Sequence, residues 1–287
     1  MSEPDWLSVR RGTAPLLLSL PHTGVDLAGL EAGGVSPWLA RKDTDWWVEQ
    51  LYDFAAGLGA SFVRTTLSRS VIDVNRDPSG ASLYPGQATT GLCPTTSFDG
   101  EPLYPAGSEP DAAEIERRRR AYFEPYHAAL HAELERLRAL HPRVVLYDCH
   151  SIRSTVPRLF EGRLPVFNLG TNSGASADPA LVAGVSAVLA RTGPTWVVDG
   201  RFKGGWITRR YGQPAAGVHA LQMELACAAY MAEPPSPDPE NWPTPFDPDR
   251  AEPTRRTLAD VLAFALQWAS EPAAAGPSST NLPGDSR

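Results

Sequence analysis

The sequence predicts a layered α/β domain with a largely parallel central sheet, and three observations carry that expectation. Short apolar runs alternate along the chain with segments of helical periodicity. Two of the runs, PLLLSLPHTG and VVLYDCHS, read as strands buried on both faces. Each of these two ends on a histidine, His22 and His150, and ligands of open α/β sheets gather at the carboxyl ends of strands. Residues far apart in sequence can therefore meet over one crevice, which is where a metal site is expected.

After the first strand, LARKDTDWWVEQLYDFAAGLGA is expected to be one helix. Trp47, Leu51, Phe54, Ala55 and Leu58 follow helical spacing, Asp43 or Thr44 is placed as N-cap, and Asp45 falls in the first turn. SFVRTTLSRSVIDVNRD reads as strand, turn and strand. From Pro78 to Pro110 the chain is rich in Gly and Pro with little periodicity, and so long a loop is expected to wall or cover a site. EIERRRRAYFEPYHAALHAELERLRALH carries Ile115, Tyr122, Tyr126, Leu130, Leu134 and Leu137 on one face, a long helix with a kink expected at Pro125. Beyond VVLYDCH follow a strand at LPVFNLG, a helix at LVAGVSAVLA, a strand at TWVVDG, a glycine-containing loop at FKGGWITRRYG and a strand at VHALQMELA. A Pro-rich connector leads to a last amphipathic helix, TLADVLAFALQWA, expected to dock on the body. Residues 1–270 are thus read as one domain, and 271–287, rich in Ala, Pro, Ser and Gly, as a disordered tail.

Composition narrows the function classes. A net charge of −7 and a pI near 5.4 argue against a polyanion-binding surface. The RRRR run at Arg117–Arg120 lies among glutamates and reads as a solvated helix face, so no nucleic-acid partner is expected. No apolar stretch approaches the roughly 20 residues that cross a bilayer. Three cysteines without CxxC spacing and an N-terminus without a signal-peptide core fit a cytoplasmic protein.

The chemistry-bearing residues form several groups. His22, His150 and Asp45 would supply two imidazoles and a carboxylate, leaving a zinc position open to water, and Asp148 could orient the imidazole of His150. His127 and His131, at i and i+4 in HAALH, are a weaker metal candidate because the glutamate of HExxH is missing. Cys149 sits within a strand and reads as a small buried side chain instead of a nucleophile. Arg69, Asp73, Asn75 and Arg76 crowd into SRSVIDVNRD; guanidinium forks suit an acidic small molecule, against the plainer reading of an Arg69–Asp73 ion pair. In VHALQMELA, Leu221, Met223 and Leu225 share one face and Gln222 and Glu224 the other. A carboxylate in a core-like strand is a candidate general base with a raised pKa, unless the strand is an edge facing water. Lys203, Arg209 and Tyr211 lie around the glycines of FKGGWITRRYG, suited to closing over an anion.

Through PHTG, DTDWWVEQLYDFA, SRSVIDVNRDPSG, SLYPGQATTGLCPTTSFDGEPLY, LYDCHSIRS, FNLGTNSG, DGRFKGGWITRRYGQP and GVHALQMELA the chain resembles the N-formylglutamate amidohydrolases, from about Pro15 to Tyr230. The resemblance implies a three-layer α/β/α phosphorylase/hydrolase-like fold similar to that of zinc carboxypeptidases and aspartoacylases. It implies zinc-dependent hydrolysis of N-formyl-L-glutamate to formate and L-glutamate in histidine degradation. By the same resemblance His22, an acidic residue of DTDWW and His150 are the metal ligands. Asp43 and Asp45 both qualify as that residue, and Asp45 is chosen. Asn75 and Arg76 map to the substrate-carboxylate clamp with Lys203 or Arg209 in support, Arg69 to the arginine that polarises the carbonyl, and Glu224 to the general base. The alternatives are a deacylase of another N-acyl acidic amino acid and a noncatalytic carboxylate-binding protein.

Overall fold

A run of apolar residues becomes an interior strand when both faces of the sheet are covered. All five residues of β2 (Leu16–Leu20) and all nine of β4 (Val144–Ile152) are buried in the computed structural model, which describes residues 4–83 and 86–271. The other strands are β1 (Leu7–Arg10), β3 (Ser61–Thr65), β5 (Phe167–Gly170), β6 (Trp196–Val198) and β7 (Val218–Ala226). The α-helices are α1 (Pro37–Lys42), α2 (Val48–Leu51), α3 (Ala112–Arg118), α4 (Glu124–Leu140), α5 (Pro179–Arg191), α6 (Trp206–Tyr211) and α7 (Pro248–Ser270). The strands form one sheet in the order β1-β3-β2-β4-β7-β5-β6. Strands β3, β2, β4 and β7 run parallel, while β1 and the mutually parallel pair β5 and β6 oppose them, so the sheet is mixed and mostly parallel.

Alternation along the strands builds the two flanking layers. Val145, Tyr147 and Cys149 of β4 join Leu181 and Val185 of α5 and Leu258 and Leu262 of α7 in one apolar cluster. Val144 and Leu146 point the other way, onto Tyr126, Leu130 and Leu134 of α4. On this second face the sequence turns polar towards the carboxyl end. Asp148 and His150 of β4 stand in register with Gln222 and Glu224 of β7. The reading of β7 as one apolar and one polar face holds, and its polar face lies in the sheet interior between β4 and β5, not at an edge facing water.

Several expected elements differ. The helix expected over 39–60 is broken into α1, α2 and a 3₁₀ turn at Asp53–Leu58. Trp47 takes a left-handed conformation with φ of 62° and donates its indole N–H to Thr244 O at 3.0 Å, while Asp45 N donates to His22 O. Asp45 therefore lies in the link between α1 and α2, not in a first helical turn, and Asp43 caps the C-terminus of α1. The apolar stripe still faces the core, with Leu51 and Ala55 buried. The second strand expected within 68–76 is absent; Val71, Ile72 and Val74 are buried on an irregular path on which Ser70 N and Asn75 N donate to the side chains of Ser68 and Asp73, while Val71 N and Asp73 N donate to Ser68 O and Leu92 O. The glycine loop at 202–212 contains α6. At Pro125, which has no N–H to give, the long helix passes through a π turn at Arg119–Phe123 before continuing as α4.

The arginine run of α3 and the π turn pairs with Glu114, Glu116 and Glu124, as a solvated face should, although Arg118 reaches inward to Tyr104 and Val71. Among the described residues no helix is long and apolar enough to cross a membrane. The tail expected to be disordered lies, beyond Glu271, outside the described residues.

Candidate active site

Three buried carboxylates set the electrostatic problem of the crevice. Asp45, Asp73 and Asp148 are each 1% exposed or less, and an unpaired buried carboxylate costs several kcal/mol. Asp73 is met by Arg69 at 2.8 Å, by Arg76 at 3.5 Å and by His22 Nε2 at 2.7 Å. Burial opposes its ionisation, but these neighbours hold its carboxyl well below the usual range. The Arg69–Asp73 ion pair expected as the plainer reading is formed, and Asp73 also orients His22. Asp148 receives His150 Nε2 at 2.9 Å and the Asn75 amide at 2.9 Å.

With a carboxylate at each Nε2, both imidazoles turn Nδ1 towards Asp45. His150 Nδ1 lies 3.0 Å and His22 Nδ1 3.7 Å from Asp45 Oδ2, and the ring centroids are 4.9 Å apart. One donor atom from each of the three residues falls within 4.8 Å of the others. Burial works against the charge on Asp45, yet the hydrogen bond with His150 and the nearby His22 imidazole pull its pKa down; for His150, burial is likewise outweighed by Asp148 and Asp45, which push it well up. The site thus stabilises added positive charge. Arg69 meets Asp73 and lies 3.6 Å from Asp45, Arg76 meets Asp73, and His22 Nδ1 and Asp45 Oδ1 are buried without hydrogen-bond partners. Two imidazole nitrogens and a carboxylate, each imidazole backed by a second carboxylate, fit a divalent cation of the zinc type.

Of the two aspartates left open by sequence, Asp45 meets the histidines. Asp43 turns away, accepting from Phe98 N at 2.6 Å with Arg153 at 3.6 Å, and burial pushes it up to about 6 against these two. That contact fixes Phe98, whose ring lies 4.7 Å from the Arg69 guanidinium. The rival histidine pair is otherwise engaged: His127 binds Val74 O and Tyr211 Oη, and burial drops it to about 4. Among the described residues the only metal-ligand cluster is that of His22, Asp45 and His150. The Cys149 thiol is fully buried and burial pushes its pKa far up.

The cavity above this cluster is lined by Arg69, Asn75, Arg76, Gln222 and Glu224 together with both histidines. Ala88, Thr89, Thr90 and Phe98 of the Gly/Pro-rich stretch form one wall, as expected of it. Burial raises Glu224 to about 7, with His150 opposing and Asp45 assisting. Asn75 sits at the site with its amide committed to the protein, Oδ1 accepting from Ile207 N at 2.8 Å. Arg76 binds Thr90 through its carbonyl and hydroxyl, at 3.2 Å each. Lys203 and Arg209 are not among the lining residues, and Arg209 Nε donates to Gly204 O. Arg201 lines the cavity instead, held by Leu159 O and Ala88 O. Its position in DGRFKGG, two residues before Lys203, was the available signal.

Comparisons with known proteins follow the same segments. A family model described as N-formylglutamate amidohydrolase matches residues 14–231. N-formylglutamate deformylases of Pseudomonas aeruginosa and Pseudomonas putida are 49% and 46% identical, each over 92% of this chain and 97% of the relative. A crystal structure of an N-formylglutamate amidohydrolase from Ralstonia eutropha superposes with a TM-score of 0.73 at 24% identity, covering 92% of this chain and 96% of the other. A gene product of Agrobacterium tumefaciens gives 0.68 at 18% identity, over 94% and 98% of the two chains.

Proposed function

The chain belongs to the N-formylglutamate amidohydrolase family, and on that premise we propose that it hydrolyses N-formyl-L-glutamate to formate and L-glutamate, as a step of histidine degradation, with a divalent metal bound by His22, Asp45 and His150. The observation that carries this reading is the convergence of those three residues beside a buried Glu224 of raised pKa. The same geometry speaks against a noncatalytic carboxylate binder, which needs neither the ligand cluster nor the base.

Zinc, the metal proposed first, would supply Lewis acidity and bring the pKa of a bound water to about 7. Glu224 takes a proton from the attacking water as its oxygen bonds to the formyl carbon. When the C–N bond breaks, Glu224 returns that proton to the leaving nitrogen, so one carboxyl serves as base and then acid. Arg69, braced by Asp73 and Phe98, stabilises the developing oxyanion, worth on the order of 3 kcal/mol for one aimed donor. Arg76 takes a substrate carboxylate through its fork, and Arg201, which also lines the cavity, takes the other. Asn75 is read as holding the Asp148–His150 pair, and Lys203 and Arg209 as supporting the wall around α6. Residues 1–270 are proposed to act as one catalytic unit. The three buried, unpaired thiols Cys93, Cys149 and Cys227 suit a reducing cytoplasm.

Elemental analysis of the purified protein, paired with turnover of N-formyl and N-acetyl forms of glutamate and aspartate, tests the reading. Metal and a preference for N-formylglutamate are expected. Preference for an N-acetyl substrate would assign a different deacylase, and turnover unaffected by complete metal removal would overturn the metal site.

A further inference from the structure

Two side-chain amides connect the start of α6 to the carboxylates of the site. Asn75 accepts Ile207 N–H and donates to Asp148. Gln222 Oε1 accepts Gly205 N–H at 2.7 Å, and its Nε2 donates to Glu224 Oε2 at 3.0 Å. A peptide N–H can only donate, so the atom facing Gly205 must be the amide oxygen. The NH₂ group is thereby forced towards Glu224, and the backbone removes the usual ambiguity of amide orientation. Gly205 can approach because it has no side chain; a Cβ there would come within 2.5 Å of the Asn75 amide.

We propose that Gln222 is a positioning residue that fixes the carboxylate plane of Glu224. The argument rests on reading Glu224 as the base. The terminal torsion of a glutamate is broad, so an unrestrained carboxylate swings its plane over a wide range. Gln222 occupies Oε2 and leaves Oε1 as the oxygen that takes and returns the proton. Gln222 is 4% exposed and has both polar ends taken by the protein, which separates this role from substrate binding. Its effect is on orientation during proton transfer, and small misplacements of a reacting group cost about 10- to 100-fold in rate.

The test is Gln222→Met, which keeps the length and removes both hydrogen bonds, made alone and in the Glu224→Gln background. With N-formyl-L-glutamate, kcat should fall about 10- to 100-fold while KM and metal content stay within about twofold. In the Glu224→Gln background the added loss should be below about twofold, because the group being aimed is gone. A raised KM with normal kcat would place Gln222 on the substrate, and equal losses in both backgrounds would make its effect independent of Glu224; either result overturns the proposal. Wild-type kcat in Gln222→Met beside an inactive Glu224→Gln sinks the positioning role alone. Full turnover in Glu224→Gln sinks the base assignment and this role with it. Should Gln222→Met fail to fold, Gln222→Ala, which leaves space for a water to meet the Gly205 N–H, carries the same comparison.

Discussion

Replacing Glu224 by glutamine separates two consequences of one buried carboxyl. The first is catalytic: the amide cannot accept a proton, so turnover should fall roughly 10²- to 10⁴-fold while the metal is retained. The second is energetic. Burial, the largest cause, raises Glu224 from 4.5 to about 7, and at 1.36 kcal/mol per unit this sets a penalty on the order of 3 kcal/mol for holding the ionised form inside. Between pH 4.5 and 7 the folded chain keeps a proton that the unfolded chain has released. Stability therefore falls as pH rises through that window, and the penalty is complete above 7. Glutamine escapes it. In metal-free protein, urea unfolding at pH 8 should show Glu224→Gln more stable than the parent by up to about 3 kcal/mol, with the difference vanishing near pH 4. Formate release measures the catalytic half on metal-loaded protein, where the parent's kcat/KM should rise with pH as the base ionises. Near-normal turnover of the metal-replete variant, or equal stabilities at both pH values, would refute the reasoning.

Asp45→Asn keeps the shape of the carboxylate but removes its charge, so bound metal and turnover should fall together in elemental analysis and formate assays; a full complement of metal would remove Asp45 from the ligand set. Dialysis against a chelator should abolish turnover and lower the thermal midpoint, with both restored by added zinc. Arg76→Lys replaces a planar fork by a point charge and should raise KM about tenfold, so unchanged saturation with N-formyl-L-glutamate would take Arg76 out of the clamp. Gly184→Ala in α5 ought to gain about 1 kcal/mol of helix propensity. The new Cβ would instead fall 1.9 Å from Phe264 Cζ of α7, so urea titration should show a net loss of about 1–3 kcal/mol.

Local pattern was enough to find the strands that carry the site. β2 and β4 each open on an apolar run, and the alternation in β7 put Gln222 and Glu224 on one face before any neighbour was known. What escaped has distant causes. The break at Trp47 is tied to Thr244 O, 197 residues away, and no periodicity within 39–60 records that bond. The irregular path of 68–76 depends on Asp73 being claimed at once by His22, Arg69 and Arg76, which turns an apparent strand into a bracket for the crevice. Asp43 and Asp45 were equivalent in sequence because their difference is one of direction: the first faces Phe98 N, the second the two histidines. The role of Arg201 as a lining residue depends on Leu159 and Ala88, from two separate loops.

The seventh strand in chain order occupies a middle place in the sheet, between β4 and β5. Until it is inserted, β5 and β6 can pair only with each other, and β4 presents an open edge of unpaired backbone groups that invites association with other chains. In chain order, all the other strands are made before the one that joins them. The strand that joins them is also the one that brings Gln222 and Glu224 beside Asp148 and His150. Closure of the sheet and placement of the proposed base beside His150 thus depend on the same strand.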